Sequence, residues 1–255
     1  PLRLVGSEMC IRDSLYTGSY ISLAVLTIIP IFLLIFYRTD KNPKPKENKS
    51  GNQRSYFELL QNPIILQAIV TAAFAYSIMS FIMTATPISM YKIHGFTLGS
   101  TSIVIQSHII GMFLPSLITG ILIKKYGHSK IIYSGALIYL ICIFLSFYDQ
   151  TLINYLIALV LLGIGWNFLF IGGTSLLVLC YKESEKFKVQ GFNDVLVFSI
   201  QSIASLVAGY SILKFSWNEI NLACIPLVLL IILVSARSDI SVSYTHLTLP
   251  TIYSV

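Results

Sequence analysis

Charged residues are scarce in this chain. Only 11% of its 255 residues are Asp, Glu, Lys or Arg, whereas 55% are hydrophobic. A soluble domain carries about a quarter of its residues as charges. Because so few charges cannot cover a folded surface with polar groups, the composition excludes an ordinary water-soluble domain. It predicts an integral membrane protein with the lipid bilayer as its main partner.

The sequence also lacks the residue clusters that catalysis and metal binding need. Its four cysteines and four histidines stand at no metal-ligand spacing, and it has no Ser-based hydrolase motif and no phosphate-binding loop. We therefore predict no enzyme activity, no metal and no cofactor. The net charge of +6 comes from short basic clusters between apolar runs, a pattern typical of loops that face an anionic membrane and not of a nucleic-acid-binding surface.

The two ends differ in composition from the rest of the chain. Residues 1–14 and about 241–255 resemble translated sequencing-adaptor tails, so we expect both to be non-native and the native part to cover about 15–240. The missing initiator Met agrees with a fragment of a longer protein.

Long apolar runs dominate the remainder. Seven segments come close to the roughly 20 apolar residues that a spanning helix needs, and their unbroken apolar character differs from the alternating strands of a membrane barrel. They are 15–37, 62–86, 101–123, 131–148, 152–178, 192–213 and 219–236. The predicted fold class is therefore all-α integral membrane, with seven transmembrane helices.

Basic residues occupy every second loop. They concentrate in the loop 38–61, the turn 124–130 and the loop 179–191, whereas the intervening loops carry only Lys92, only Lys214 or no basic residue. The positive-inside rule makes the basic loops cytoplasmic and starts the first helix outside. The long first loop is rich in Pro, Lys, Asn and Gly, which predicts a flexible cytoplasmic linker, with a lipid-binding arm as the alternative.

The turn after the third run carries the most specific pattern. It reads Gly120-Ile-Leu122-Ile-Lys124-Lys125-Tyr-Gly127-His128-Ser-Lys130. This segment resembles the Gly-x-Leu-Ala-Asp-Arg-x-Gly-Arg-Lys loop of the major facilitator superfamily, in its more degenerate second copy. Lys124 stands where that motif has an acid, and His128 where Arg is usual. Gly120 is expected to allow close helix approach and Gly127 the chain reversal, with a generic basic turn as the alternative.

The resemblance extends to the organisation of the chain. The superfamily has twelve helices in two six-helix halves, joined by a long charged cytoplasmic loop. Accordingly, 15–37 corresponds to the sixth helix of a parent protein, 38–61 to the linker and 62–236 to the carboxyl-terminal half. The resemblance implies a secondary transporter in the bacterial inner membrane that moves a small-molecule solute by alternating access. A proton or a sodium ion is the candidate coupling ion.

By this resemblance, four of the helices line a solute cavity, and their polar and aromatic residues are the binding candidates. An amide donor and acceptor beside an aromatic ring suits a small organic solute, which singles out Asn167 and Trp166. The alternative for Asn167 is a hydrogen bond between helices. The alternative for hydroxyl side chains is a hydrogen bond to the backbone of their own helix. The remaining candidates are Gln201, Gln106, Tyr76 and Thr84.

Other residues are candidates for gating and coupling. Asn193 and Asp194 start the sixth run at the cytoplasmic face, where they either cap the helix or take part in an ion pair that closes an inner gate. His108 can titrate and carry a coupling proton, with a hydrogen-bonded packing histidine as the alternative. The basic turn is expected to help hold the same gate, through Gly120, Lys124, Lys125, Gly127 and Lys130.

Two other functions are compatible with membrane helices but fit less well. A light-driven pump needs a buried lysine in its last helix, and 219–236 contains none. A seven-helix receptor or sensor does not require the basic turn or the charged linker, and it is kept as the alternative function. A membrane-embedded enzyme lacks its catalytic groups.

Overall fold

Helices account for all the regular structure in the described part of the chain. The computed structural model describes the backbone of residues 4–37 and 54–248, and the side chains of residues 18, 20–37 and 54–240. A π-helical turn, Ile88–Ile93, follows α3, and a 3-10 turn, Glu183–Glu185, precedes α8. The helices are α1 (Leu4–Phe36), α2 (Tyr56–Gln61), α3 (Pro63–Pro87), α4 (Leu98–Phe113), α5 (Ser116–Tyr126), α6 (His128–Leu145), α7 (Leu152–Val178), α8 (Lys186–Lys214), α9 (Trp217–Leu222) and α10 (Ile225–Thr248).

Six helical segments are long and apolar enough to cross a membrane. Within the described residues they are Pro63–Ile93, Leu98–Tyr126, His128–Leu145, Leu152–Val178, Glu183–Lys214 and Trp217–Ile240. The prediction of an all-α fold is therefore confirmed for the described residues, and these six segments have the length and composition of membrane spans. The predicted first span, 15–37, falls on α1, where the described residues contain a shorter apolar stretch, Tyr20–Phe36. A count of seven spanning helices is accordingly not confirmed.

The chain divides into two compact units, residues 1–49 and 50–255. Helix α1 belongs to the first unit, and the other nine helices of the described residues belong to the second. Most of the predicted linker, 38–53, lies outside the described residues. Its carboxyl-terminal end forms α2, which begins with a reciprocal capping box between Ser55 and Glu58.

The two predicted non-native tails lie partly outside the described residues, namely at 1–3 and 249–255. Their described parts are helical. Helix α10 continues to Thr248, beyond the predicted end at 236, because no proline interrupts the chain before Pro250.

Helices α3 and α7 form the centre of the second unit. The most apolar stretch of the α3 span is 67% buried and that of α7 is 56% buried, against 28% for the span made of α4 and α5 and 22% for the span of α8. Helix α3 packs against α7, α8 and α10, whereas α7 packs against α3, α4 and α6. Helices α4, α5 and α8 therefore keep an exposed apolar face.

Glycines bring the neighbouring helices close to α7. A Cβ atom added to Gly163 would lie 2.6 Å from the carbonyl oxygen of His108 on α4. A Cβ atom added to Gly135 on α6 would lie 3.0 Å from the carbonyl oxygen of Gly165. Small residues at helix contacts are how membrane helices gain van der Waals packing where the hydrophobic effect offers little.

Pro115 divides the predicted helix 101–123 into two. Helix α4 ends at Phe113 and α5 begins at Ser116, because proline has no N–H for the helical ladder and its ring clashes with the preceding turn. Gly127, at a φ of +86°, then reverses the chain between α5 and α6. This positive φ is the conformational role predicted for Gly127.

We expect Gly163→Ala to lower the thermal stability of the purified chain. The added methyl group overpacks the α4–α7 contact, which costs about 1–3 kcal/mol, or a fall in Tm of about 2–4 °C per kcal/mol. Gly209→Ala on α8 is the matched control, because a Cβ atom there has nothing within 4 Å. Equal Tm values for the two variants in detergent would contradict this packing.

Candidate functional site

Five aromatic side chains from four helices meet on one side of the second unit. The Trp166 and Phe170 rings of α7 stack with centroids 4.9 Å apart, and Tyr76 of α3 lies edge-on to both, at 5.4 Å and 5.3 Å. Phe198 of α8 lies 6.0 Å from Tyr76, and Phe113 of α4 lies 6.3 Å from Trp166. We call Tyr76, Phe113, Trp166, Phe170 and Phe198 the aromatic cluster.

The cluster has a buried base and an exposed rim. Trp166 is only 6% exposed, whereas Phe113 and Phe198 are 60% and 52% exposed. The indole Nε1 of Trp166 is buried and has no hydrogen-bond partner among the described residues. Sequence reasoning selected Trp166 and Tyr76, but it passed over Phe198, since one phenylalanine in an apolar run carries no signal of its own.

Asn167 lies beside the cluster, where it joins α7 to the break between α4 and α5. Its Nδ2 donates to the carbonyl oxygen of Met112 at 2.7 Å and to Oγ of Ser116 at 2.6 Å, and its Oδ1 accepts from Oγ1 of Thr119 at 2.6 Å. The side chain is fully buried. Both amide hydrogens thus bond to another helix, as in the alternative prediction that Asn167 joins helices. Its predicted contact with a solute stays a prediction.

His108 occupies the close contact of α4 with α7. The side chain is fully buried, and Nδ1 lies 2.7 Å from the carbonyl oxygen of Leu159. Because a carbonyl only accepts hydrogen bonds, Nδ1 carries the hydrogen. Nε2 is buried and lacks a partner among the described residues. The proton-coupling role of His108 stays a prediction.

The remaining binding candidates are spread over three helices. Thr84 on α3 is hydrogen-bonded to Ser205 on α8, with 3.0 Å between the hydroxyl oxygens. Gln106 is exposed on α4, and its Nε2 reaches only Oγ of Ser102, at 3.4 Å. Gln201 is half-buried on α8. None of these three side chains is among the ring contacts that define the aromatic cluster.

The basic turn is exposed, and Lys124, Lys125 and Lys130 form no ion pair within the described residues. Lys125 lies over the ring of Tyr126, 5.0 Å from its centroid. A Cβ atom added to Gly120 meets nothing within 4 Å in the described residues. The close helix approach predicted at Gly120 is therefore wrong for the part of the chain that the structure describes.

Asn193 and Asp194 lie in the interior of α8, two turns after its start at Lys186. Capping of this helix by either residue is therefore wrong, because the polar segment from Lys186 onward, which resembled a loop, is already helical. Asn193 is buried and its Nδ2 donates to Oδ1 of Asp194 at 3.2 Å, whereas Asp194 is exposed. Their gating role stays a prediction.

An ion pair that the sequence did not reveal fastens the end of the linker to the loop between α7 and α8. The Arg54 guanidinium donates to both carboxylate oxygens of Glu185, with Nη2 to Oε2 at 2.7 Å, and also to the carbonyl oxygen of Cys180 at 3.0 Å. Glu185 is 1% exposed and also accepts from the backbone N–H groups of Arg54 and Lys182. The side-chain hydrogen bonds to Glu185 and the negative charge of that carboxylate raise the pKa of Arg54 above its ordinary value. A sequence separation of 131 residues hides such a pair from any local pattern.

In the described residues, no group of three His, Cys, Asp or Glu side chains is placed to hold a metal ion. The arrangement of the second unit offers stacking surfaces and hydrogen-bonding groups. Groups of these two kinds suit non-covalent binding.

Comparison with known proteins finds one matching family model and several relatives. The model described as Major Facilitator Superfamily matches residues 68–241. The riboflavin transporter RfnT of Brucella anthropi is 32% identical over 232 residues, which are 91% of this chain and 58% of that protein.

Two relatives come from Bacillus subtilis and are named uncharacterized MFS-type transporters. YddS is 34% identical over 228 residues, 81% of this chain and 51% of its own, and YdeG is 37% identical over 147 residues, 57% of this chain and 34% of its own. The chain thus spans about half the length of the curated relatives it matches. No solved structure matches it.

We expect Glu185→Gln to destabilise the protein by about 2 kcal/mol. The neutral amide keeps the shape of the side chain but leaves the Arg54 guanidinium without a charged acceptor, and hydrogen bonds to charged groups contribute about 1.5–3 kcal/mol. Thermal unfolding of the purified protein measures the change. Glu183→Gln is the control. Glu183 is exposed and lies 4.0 Å from Lys186, and such a surface ion pair contributes little to stability. A comparable loss of stability in both variants would show that the Arg54–Glu185 pair stabilises the protein no more than an exposed pair does.

Asn167→Leu should also destabilise the protein, by about 1–3 kcal/mol, because the carbonyl of Met112 loses a buried donor that water cannot replace. Gln106→Leu is the matched amide control; its single long hydrogen bond is exposed, so its effect should stay within about 0.5 kcal/mol. Denaturation of both variants under identical detergent conditions provides the comparison. A stable Asn167→Leu variant would argue that the amide serves something other than helix packing.

Proposed function

Because the chain belongs to the major facilitator superfamily, we propose that it is the carboxyl-terminal part of a secondary active transporter that moves a small solute by alternating access. The family match confirms the resemblance read from the basic turn, and the family is one of transporters and not of enzymes. The receptor alternative is not favoured. In this proposal 15–37 is the sixth helix of twelve, 62–236 is the second six-helix half, and the basic loops face the cytoplasm of a bacterial cell.

The aromatic cluster carries the proposal for the solute site. It joins α3, α4, α7 and α8, which stand where the family resemblance places the cavity-lining helices. The exposed faces of α4, α5 and α8 are the surface that the other half of the transporter would cover. Between the halves, the rim rings Phe113 and Phe198 would remain accessible to a solute. Trp166 contacts Phe113, and Tyr76 contacts Phe198.

Riboflavin is the first candidate solute. A relative at 32% identity is named a riboflavin transporter, and riboflavin has the flat aromatic ring system that stacks on such side chains. Offset or edge-on aromatic contacts add about 0.5–1.5 kcal/mol each to the burial of apolar area. Several rings from four helices can therefore distinguish a planar solute from an aliphatic one of similar size.

The inner gate of the proposal lies at the cytoplasmic ends of α5 and α8. Asp194 is exposed and has no ion-pair partner among the described residues, which leaves its carboxylate free to pair with a basic group of the other half in one state of the transport cycle. Lys124, Lys125 and Lys130 are similarly exposed on the basic turn. Electrostatic pairs of this kind can close one face of the membrane and break when the halves rock.

Uptake of labelled riboflavin tests the proposal. The complete protein, expressed in bacteria that lack a riboflavin importer, should accumulate the label above an empty-vector control. Phe198→Ala should raise the KM about three- to tenfold, the equivalent of one lost aromatic contact. Phe187→Ala, a phenylalanine on the same helix that is 88% exposed and outside the cluster, should leave uptake unchanged at equal expression. Uptake no greater than that of the control cells would refute riboflavin as the solute.

A further inference from the structure

A pocket with several polar side chains adjoins the aromatic cluster along two helices. It has a volume of about 290 Å³ and lies between the carboxyl-terminal end of α7 and the first half of α8, lined by Thr174, Ser175, Leu177, Val178, Gln190, Asn193 and Asp194. Thr174 follows Phe170 of the cluster by four residues, and Asp194 precedes Phe198 by four. Side chains four apart lie on the same helix face, so both walls of the pocket continue into the cluster about one helical turn, or 5.4 Å, away.

Several hydrogen-bond acceptors lie in the lining of this pocket. The hydroxyls of Thr174 and Ser175 donate to carbonyl oxygens of their own helix, which leaves their oxygen lone pairs available. Asn193 is 4% exposed, and its Oδ1 is buried with no partner among the described residues. The carboxylate of Asp194 accepts only from Asn193 in the described structure. The amides of Gln190 and Asn193 each donate one hydrogen within the protein and have a second N–H group. Hydroxyl groups, which both donate and accept, suit this set.

The charge of the pocket limits the ligand further. Asp194 is the one acidic residue in its lining, and no Lys or Arg belongs to it. The pocket also lies beside the last turn of α7, where the helix dipole places partial negative charge. A phosphate or carboxylate would therefore be repelled, whereas hydroxyl groups can donate hydrogen bonds at no electrostatic cost.

We propose that this pocket is a second subsite for the transported solute, which binds a neutral, hydroxyl-rich side chain while the attached planar ring system occupies the aromatic cluster. The inference rests on the proposed function and deepens it. It assigns selection of the ring to the cluster and selection of the side chain to Asn193, Thr174 and Asp194. The substrate class is thus an aromatic heterocycle that carries an uncharged polyol chain.

Competition among three flavins tests the subsite in the complete protein. Riboflavin carries a hydroxylated chain, lumiflavin has a methyl group in its place, and flavin mononucleotide has a phosphate at the end of the chain. The unaltered protein should prefer riboflavin to both competitors. Asn193→Ala should reduce the preference over lumiflavin about three- to tenfold, the value of one hydrogen bond, and Asp194→Asn should increase inhibition by flavin mononucleotide.

Two further variants keep the outcome interpretable. Thr174→Val preserves the shape of the side chain and should reduce the same preference. It replaces the first test if Asn193→Ala fails to fold. Ser202→Ala lies on α8 outside the pocket, where its hydroxyl donates only to the carbonyl of Phe198, and should change neither ratio. Riboflavin uptake with an unaltered preference in Asn193→Ala and Thr174→Val overturns the subsite alone. Absence of riboflavin uptake by the unaltered protein overturns riboflavin as the proposed solute, and the subsite with it.

Discussion

Polar groups inside an apolar helix bundle depend on the protein for hydrogen-bond partners, and this constraint shapes the contact of α4 with α7. Lipid offers no hydrogen bonds, so a carbonyl freed from the helical ladder needs a donor from another helix. Asn167 supplies one to Met112 beside the Pro115 break, and His108 donates to the carbonyl of Leu159 within α7. Both contacts lie where α4 meets α7 at glycine distance, which shows that close approach and polar satisfaction are achieved together.

Features governed by local chemistry could be predicted from the sequence. Helix α7 has the predicted bounds, 152–178, because an unbroken apolar run follows a capping residue, Thr151. Gly127 adopts the positive φ that its place in a tight turn requires. The basic turn also identified the family, since its glycines and lysines have the spacing of the superfamily's loop motif.

Features that depend on the surroundings of a segment in the fold could not be predicted. The division of 101–123 at Pro115 was overlooked, since proline in a membrane helix is often tolerated when neighbours satisfy the freed groups. The start of α8 at Lys186 was missed because a charged segment after an apolar run resembles a loop. Glu185 gave no sign of burial, because its partner Arg54 lies in a different part of the chain. Likewise, the sequence placed Asn167 correctly within its helix but could not show that its amide is already committed to α4 and α5.

The hydrogen bond from Asn167 to the carbonyl of Met112 has a mechanical consequence. A proline break commonly acts as a swivel, about which the following helical segment turns on its own. In this protein Asn167 of α7 restrains the break. Rotation of α5 about Pro115 would stretch the hydrogen bonds that Asn167 makes to Met112 before the proline and to Ser116 and Thr119 after it. These bonds couple α5 and the lysines at its end to α7, so a displacement of α7 strains them unless the basic turn moves with it.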